Sequence, residues 1–206
     1  MKLEAEVKEL LISNAIRLIA EGGFEKATTK ELTYCGGHLP DLKMNEVYLY
    51  RYFGSKEGLY EAAFLRLDGE LYRAFRSGID AVGGFAPNDR ERVYSFFSKA
   101  FNFILGNEEK FRCYVRYYYS PYFKGRTQEE HRKLFEEMAS EVKATFKEEA
   151  DTMSILHSVF NAMLDFAVRI YNGDLEDNEE NRTHIFNVFY CMMMTYFKDQ
   201  ESSPEN

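Results

Sequence analysis

Asn45, Glu46, Val47, Tyr48, Leu49, Tyr50, Arg51, Tyr52, Phe53, Gly54, Ser55 and Lys56 form the stretch from which the rest of this 206-residue chain can be read. Asn is a residue type whose side chain accepts a backbone N–H bond at a helix start, glycine closes helices, and Ser55 can cap the helix that follows. Val47, Leu49, Tyr50 and Phe53 fall near the i, i+3, i+4 spacing of one helical face, which predicts that they are the buried side. Glu46, Tyr48, Arg51 and Tyr52 are then expected outward. A short helix with that many planar and polar side chains outside is built for contact.

Upstream, Val7, Leu10, Leu11, Asn14, Ala15, Leu18 and Ile19 give a helical apolar stripe that is expected to stop at Gly22 and Gly23. Phe24 turns the chain back toward the core. Thr28 with Glu31 three residues on reads as a capping box, opening a second helix expected to run to about Cys35.

That order resembles the DNA-binding head of the TetR family of ligand-responsive transcriptional repressors. The family pattern ends in Tyr, any, any, Phe, any, Ser, Lys, Glu, any, Leu, matched by Tyr50, Phe53, Ser55, Lys56, Glu57 and Leu59. Before it stand the amphipathic helix, Gly22, Gly23 and Phe24, then Ala27, Thr28 and Thr29. The resemblance covers about the first third of the chain and implies a helix-turn-helix whose third helix enters the major groove. It assigns Thr29, Tyr50 and Lys56 to phosphate and Asn45, Glu46, Tyr48 and Tyr52 to bases, with Thr28 and Arg51 completing the DNA-contacting set. Backbone contacts set register and base contacts set preference. A carboxylate such as Glu46 can accept from a cytosine amino group.

The sequence departs from that pattern at an insertion, residues 36–43. The segment joining the second and third helices is roughly six residues longer than the tight turn of about 3–4 residues usual in this motif, and Pro40 excludes a helix through it. The insertion either lengthens a loop without moving the third helix or changes how the two helices meet.

Beyond Ser55 the periodicity predicts a long helix through Leu59, Ala62, Leu65 and Phe75, a break at Gly83, Gly84 and Pro87, and a helix from about Asp89 to Leu105. A further aromatic helix is expected from Lys110 to Tyr119. Thr127 with Glu130 reads as another capping box, starting a charged helix expected to reach about Glu149 and to bury Leu134, Phe135, Met138, Val142 and Phe146. Two apolar helices follow, from about Thr152 to Asn172 and from about Asn178 to Lys198. No strand signal or internal repeat is present. The expected fold is all-α: a three-helix DNA-binding head at residues 1–54, a ligand-binding and dimerisation body of roughly six helices at 55–200, and a polar tail at 201–206.

With 45% hydrophobic and 29% charged residues, the chain has the composition of a globular protein. Its net charge of -8 disfavours a generally basic nucleic-acid surface, although bases and acids through Leu59 nearly balance, so the body carries most of the negative charge. Cys35, Cys113 and Cys191 are far apart and odd in number, which points to reduced thiols and a cytoplasmic protein. No apolar run reaches the roughly 18 residues of a membrane span, and the start of the chain alternates charges where a signal peptide would be apolar.

His38, His131, His157 and His184 form no zinc pattern. P-loop, dinucleotide turn and nucleophile elbow are all missing, so neither an enzyme nor a bound metal or cofactor is expected.

Aromatic residues make up 16% of the chain and crowd between Phe96 and Phe123. An apolar pocket with tyrosine hydroxyls to orient a small molecule would use such a cluster, with Phe97, Phe101, Tyr114, Tyr117, Tyr118 and Tyr122 as candidates. His157, Asn161 and Asp165 make a polar line at i, i+4 and i+8; His157 and Asn161 join the candidate set. The resemblance adds a homodimer through the last two helices and release from a DNA operator by a small, largely apolar or aromatic effector. The competing reading is a helical ligand-binding or interaction protein without DNA affinity.

Overall fold

The computed structural model describes residues 2–34, 45–81 and 89–198. Among them are nine α-helices and no strand: α1 (Lys2–Lys26), α2 (Thr29–Leu32), α3 (Glu46–Phe53), α4 (Lys56–Ala81), α5 (Arg90–Leu105), α6 (Glu108–Tyr118), α7 (Arg126–Val142), α8 (Thr152–Tyr171) and α9 (Glu179–Met194). The all-α expectation holds. The insertion after α2, Cys35, the Gly83–Pro87 break and the polar tail lie outside the described residues.

The chain forms two compact units, one of Met1–Leu71 with Asn107–His131 and one of Tyr72–Gly106 with Arg132–Asn206. In the first, α1 lies on α6 and also touches α2 and α3. Its core is Leu11, Leu18, Ile19, Leu32, Leu49, Leu59, Tyr60 and Phe64, all buried. In the second, α5, α8 and α9 pack on one another, burying Phe97, Phe101, Ile104, Leu164, Ala167, Phe186 and Phe189.

Several boundaries differ from the sequence expectation. α1 does not stop at the glycine pair: helical hydrogen bonding resumes to Lys26 across a break at Gly23, whose φ of 75° an L side chain adopts at a cost. Arg116 Nη1 donates to Ile19 O at 2.8 Å just before that break. Thr127 is not a cap. It lies inside α7, and its hydroxyl donates to Lys124 O at 2.8 Å and accepts from Lys124 N at 3.2 Å.

α7 also ends at Val142 instead of near Glu149, followed by a 3-10 turn over Lys143–Thr145. There Phe146 and Phe197 pair as an isolated antiparallel bridge with ring centroids 5.2 Å apart. Lys147 N donates to Tyr196 O at 2.8 Å and Lys198 N to Thr145 O at 3.2 Å. Burying the two phenylalanines together takes both segments out of helix, which is also why α9 ends at Met194 and not at Lys198.

By length and composition α8 could cross a membrane, contrary to the expectation that no stretch qualifies. Ser154, His157, Ser158 and Asn161 interrupt its apolar run, and Asp165 and Arg169 are its charged residues. It packs on α5 and α9 as a core helix of its unit.

Candidate nucleic-acid interface

α2 and α3 are too short to be stable alone, so caps and tertiary bonds must hold them. Thr28 Oγ1 accepts from Glu31 N at 3.2 Å at the start of α2. At its other end the buried Asn14 Nδ2 donates to Leu32 O at 2.9 Å and to Tyr34 O at 2.8 Å, satisfying carbonyls a helix end leaves open. Asn45 Oδ1 caps α3 by accepting from Val47 N at 2.9 Å. Gly54, with φ 75°, closes it.

The corner into α4 is equally specified. Ser55 Oγ accepts from Gly58 N at 3.0 Å, and a Cβ at position 58 would sit 2.1 Å from Phe53 O, so only glycine allows this approach. Ala27 O, between α1 and α2, accepts from Lys56 Nζ at 3.2 Å and from Tyr60 OH at 3.0 Å. The Tyr60 phenol is pushed up to about 12, chiefly by burial. One carbonyl thereby ties the start of α2 to the start of α4.

α3 does not face the way its letters implied. Leu49 is 0% exposed, whereas Val47 is 63% and Tyr50 48% exposed. Glu46 and Arg51 are exposed, while Tyr48, Tyr52 and Phe53 are half-buried. The reason is angular. Residues 48, 49, 52 and 53 stand at i, i+1, i+4 and i+5 and make one stripe centred between Tyr52 and Leu49, leaving 46, 47, 50 and 51 on the other half of the helix. Val47 and Leu49 are about 200° apart on such a helix and cannot share a face. Tyr52 is instead covered by Lys8 Nζ, 5.0 Å from its ring centroid, with Tyr48 6.2 Å away.

The outward edge of α3 is thus Glu46, Val47, Tyr50 and Arg51. Thr28 is exposed, and Thr29 and Lys56 are half-exposed. Asn45 is exposed, with its side-chain oxygen committed to the cap. Sequence reasoning missed Val47, because an apolar letter in a helix is assigned inward by default.

The proposed effector residues fall in both units. In the first, Tyr114 and Tyr117 are buried and stack on Phe64 at 4.9 and 4.6 Å, and Tyr118 and Tyr122 are half-buried. Tyr117 OH donates to Tyr122 O at 3.1 Å and Tyr114 OH to Asp68 Oδ1 at 3.0 Å. In the second, Phe97 stacks on Phe101 at 5.4 Å, His157 stacks on Phe135 at 4.1 Å, and Asn161 is half-buried.

Asp68 and His131 were not foreseen as a pair. Asp68 is 1% exposed and meets His131 Nδ1 through both carboxylate oxygens at 3.0 and 3.1 Å. Phe64, Tyr118 and Phe123 surround the imidazole, with ring centroids 6.1, 5.4 and 5.4 Å from it. Burial, with the Asp68 carboxylate next in weight, pushes the Tyr114 phenol well above its ordinary range. A signal existed: Asp68 is four residues after Phe64 and His131 four before Phe135, each in line with a core position. Among the described residues no group of three or more His, Cys, Asp or Glu side chains is placed to hold a metal ion. Cys113 is buried, its thiol pushed up to about 12 by desolvation, and Cys191 is exposed.

No protein-family model matches the sequence, and no curated protein does. Solved structures do match. A TetR family transcription regulator from Marinobacter aquaeolei VT8 is 18% identical, with a TM-score of 0.66 over 93% of this chain and 98% of that one. A TetR-like transcriptional regulator from Rhodococcus sp. RHA1 is 18% identical, at 0.59 over 91% and 93%. The fatty acid degradation regulator FadR from Bacillus halodurans is 13% identical, at 0.62 over 88% and 97%.

Proposed function

We propose that this chain, whose fold is that of the TetR-family transcription regulators, is itself a DNA-binding transcription regulator, a repressor released from its operator by a small, largely apolar or aromatic effector. The observation that carries the reading is the edge of α3. Glu46, Val47, Tyr50 and Arg51 stand outward from a helix held by Leu49, in the position a recognition helix occupies in a helix-turn-helix. The functional head is residues 1–54, with the helical body at 55–200. By the resemblance Thr29 and Lys56 would meet the DNA backbone, Tyr50 would add a hydroxyl for phosphate, and Thr28 belongs to the same contacting set. The candidate effector residues are Phe97, Phe101, His157 and Asn161 in one compact unit and Tyr114, Tyr117, Tyr118 and Tyr122 in the other. Such a regulator works in the cytoplasm, without catalysis.

A homodimer through α8 and α9 fits the same reading. Much of α8 is left uncovered within the chain, and Val188, Met194 and Tyr196 of the α9 region are exposed, so apolar surface is left for a second copy. Two α3 helices would then meet half-sites about 34 Å apart. Effector binding favours a state of the dimer in which that spacing no longer matches, and operator affinity falls through differential binding of the two states.

The double variant Tyr50→Phe with Lys56→Gln tests the backbone assignments, since glutamine can still donate to Ala27 O. Operator affinity should fall about tenfold or more, and the salt dependence of log K should flatten by about one phosphate's worth. Dimerisation, measured by sedimentation, should not change. Unchanged DNA affinity would remove both assignments.

A further inference from the structure

Val47 is the outward residue of α3 that carries no hydrogen-bonding side chain, and at 63% exposure it is an apolar group offered to whatever the helix docks on. Its backbone N–H is already taken by Asn45 Oδ1 at 2.9 Å, so the residue presents two methyl groups and nothing else. Glu46 beside it is exposed and can only accept. A carboxylate facing phosphate, or the N7, O6 and O4 acceptors of bases, is repelled. It is accommodated in the major groove opposite an amino group, cytosine N4 being the usual partner. The groove offers one apolar projection, the C5 methyl of thymine. Neighbouring residues on a helix point about 100° apart, so the two side chains address different base pairs.

We propose that Val47 and Glu46 set the base preference of each half-site, Val47 by packing on a thymine methyl and Glu46 by accepting from a cytosine amino group at a nearby pair. The inference rests on the reading of α3 as the DNA-contacting helix. It also explains how a head without a basic surface discriminates: a valine and a glutamate contribute little to general affinity, and each penalises the wrong base. An acidic side chain in the groove weakens binding to every site lacking the amino group, which raises the ratio of specific to non-specific binding.

The test uses the full-length protein and a duplex library with randomised bases. Sequences selected by the wild type should carry a thymine and a cytosine in each half-site. Replacing thymines one at a time by deoxyuridine removes only the methyl. At one thymine per half-site this should weaken binding about fourfold, the equivalent of one buried methyl group. Val47→Ala should bind the thymine and deoxyuridine duplexes equally, and Val47→Thr, which keeps one methyl, should restore part of the difference. Glu46→Ala should accept other bases at the cytosine position. Alanine favours helix more than valine does, so loss of folding is not the expected reason for a change.

Two results overturn the inference while leaving DNA recognition standing: indifference of the wild type to every deoxyuridine, or a full penalty retained in Val47→Ala. If no sequence is enriched at all, the inference and the underlying reading fall together.

Discussion

Asp68→Ala should destabilise the first compact unit by about 2–6 kcal/mol, about 1–3 kcal/mol for each of two buried donors that lose this acceptor. Asp68 lies on α4 at 1% exposure and is the acceptor for Tyr114 OH of α6 and for His131 Nδ1 of α7. Alanine takes that acceptor from two buried donors at once and leaves a gap beside the His131 imidazole. Total stabilities of domains are about 5–15 kcal/mol, so the loss is a large share. Urea unfolding followed by far-UV circular dichroism measures it. Tyr114→Phe, which deletes one hydroxyl, should cost only about 1 kcal/mol. The ordering of the two variants is the diagnostic. An Asp68→Ala loss no greater than that of Tyr114→Phe would mean the carboxylate does not hold α4, α6 and α7 as described.

Leu49→Ala should act on function more than its size implies. Removing a fully buried leucine costs about 2–5 kcal/mol, and Leu49 is the one residue of α3 that is fully buried. Eight residues are fewer than the about 12–15 at which an isolated helix becomes even marginal in water, so α3 depends on that seat. The variant should lose hydrogen-exchange protection across α3 and nearly all operator affinity, while α8 and α9 and their self-association stay as they are. Operator affinity within a factor of about two of the wild type would show that α3 is held by something other than Leu49.

Much of the fold could be read from the letters because its signals are local. Asn45, Thr28, Asp89 and Asn178 cap helices through their own side chains, and such residues announce helix starts wherever they occur. The facing of α3 was read wrongly for an equally physical reason. In so short a helix the apolar letters Val47, Leu49, Tyr50 and Phe53 do not lie on one stripe, and hydrophobicity alone picked a set that the 100° step per residue divides. Angular position outranks side-chain type when the helix is only two turns long.

The Thr127–Glu130 spacing imitated a capping box, yet the Lys124 backbone held the hydroxyl first. Nothing local could have foretold the Phe146–Phe197 bridge that ends α7 and α9, since it pairs residues 51 positions apart in the chain (197 - 146). The Asp68–His131 pair was overlooked because charged letters are assigned to water, although each stands in register with a core aromatic. The sequence crowds aromatics between Phe96 and Phe123 as if into one cluster; the structure divides them between two compact units.

Binding to the DNA upstream of the chain's own gene, measured by gel shift across a salt series, tests most directly whether α3 presents Glu46, Val47, Tyr50 and Arg51 to duplex DNA. The expected result is a complex that prefers this sequence over an unrelated duplex of the same length, with affinity falling steeply as salt rises. Weak binding, equal for both duplexes and flat with salt, would contradict it and leave a helical ligand-binding protein without an operator.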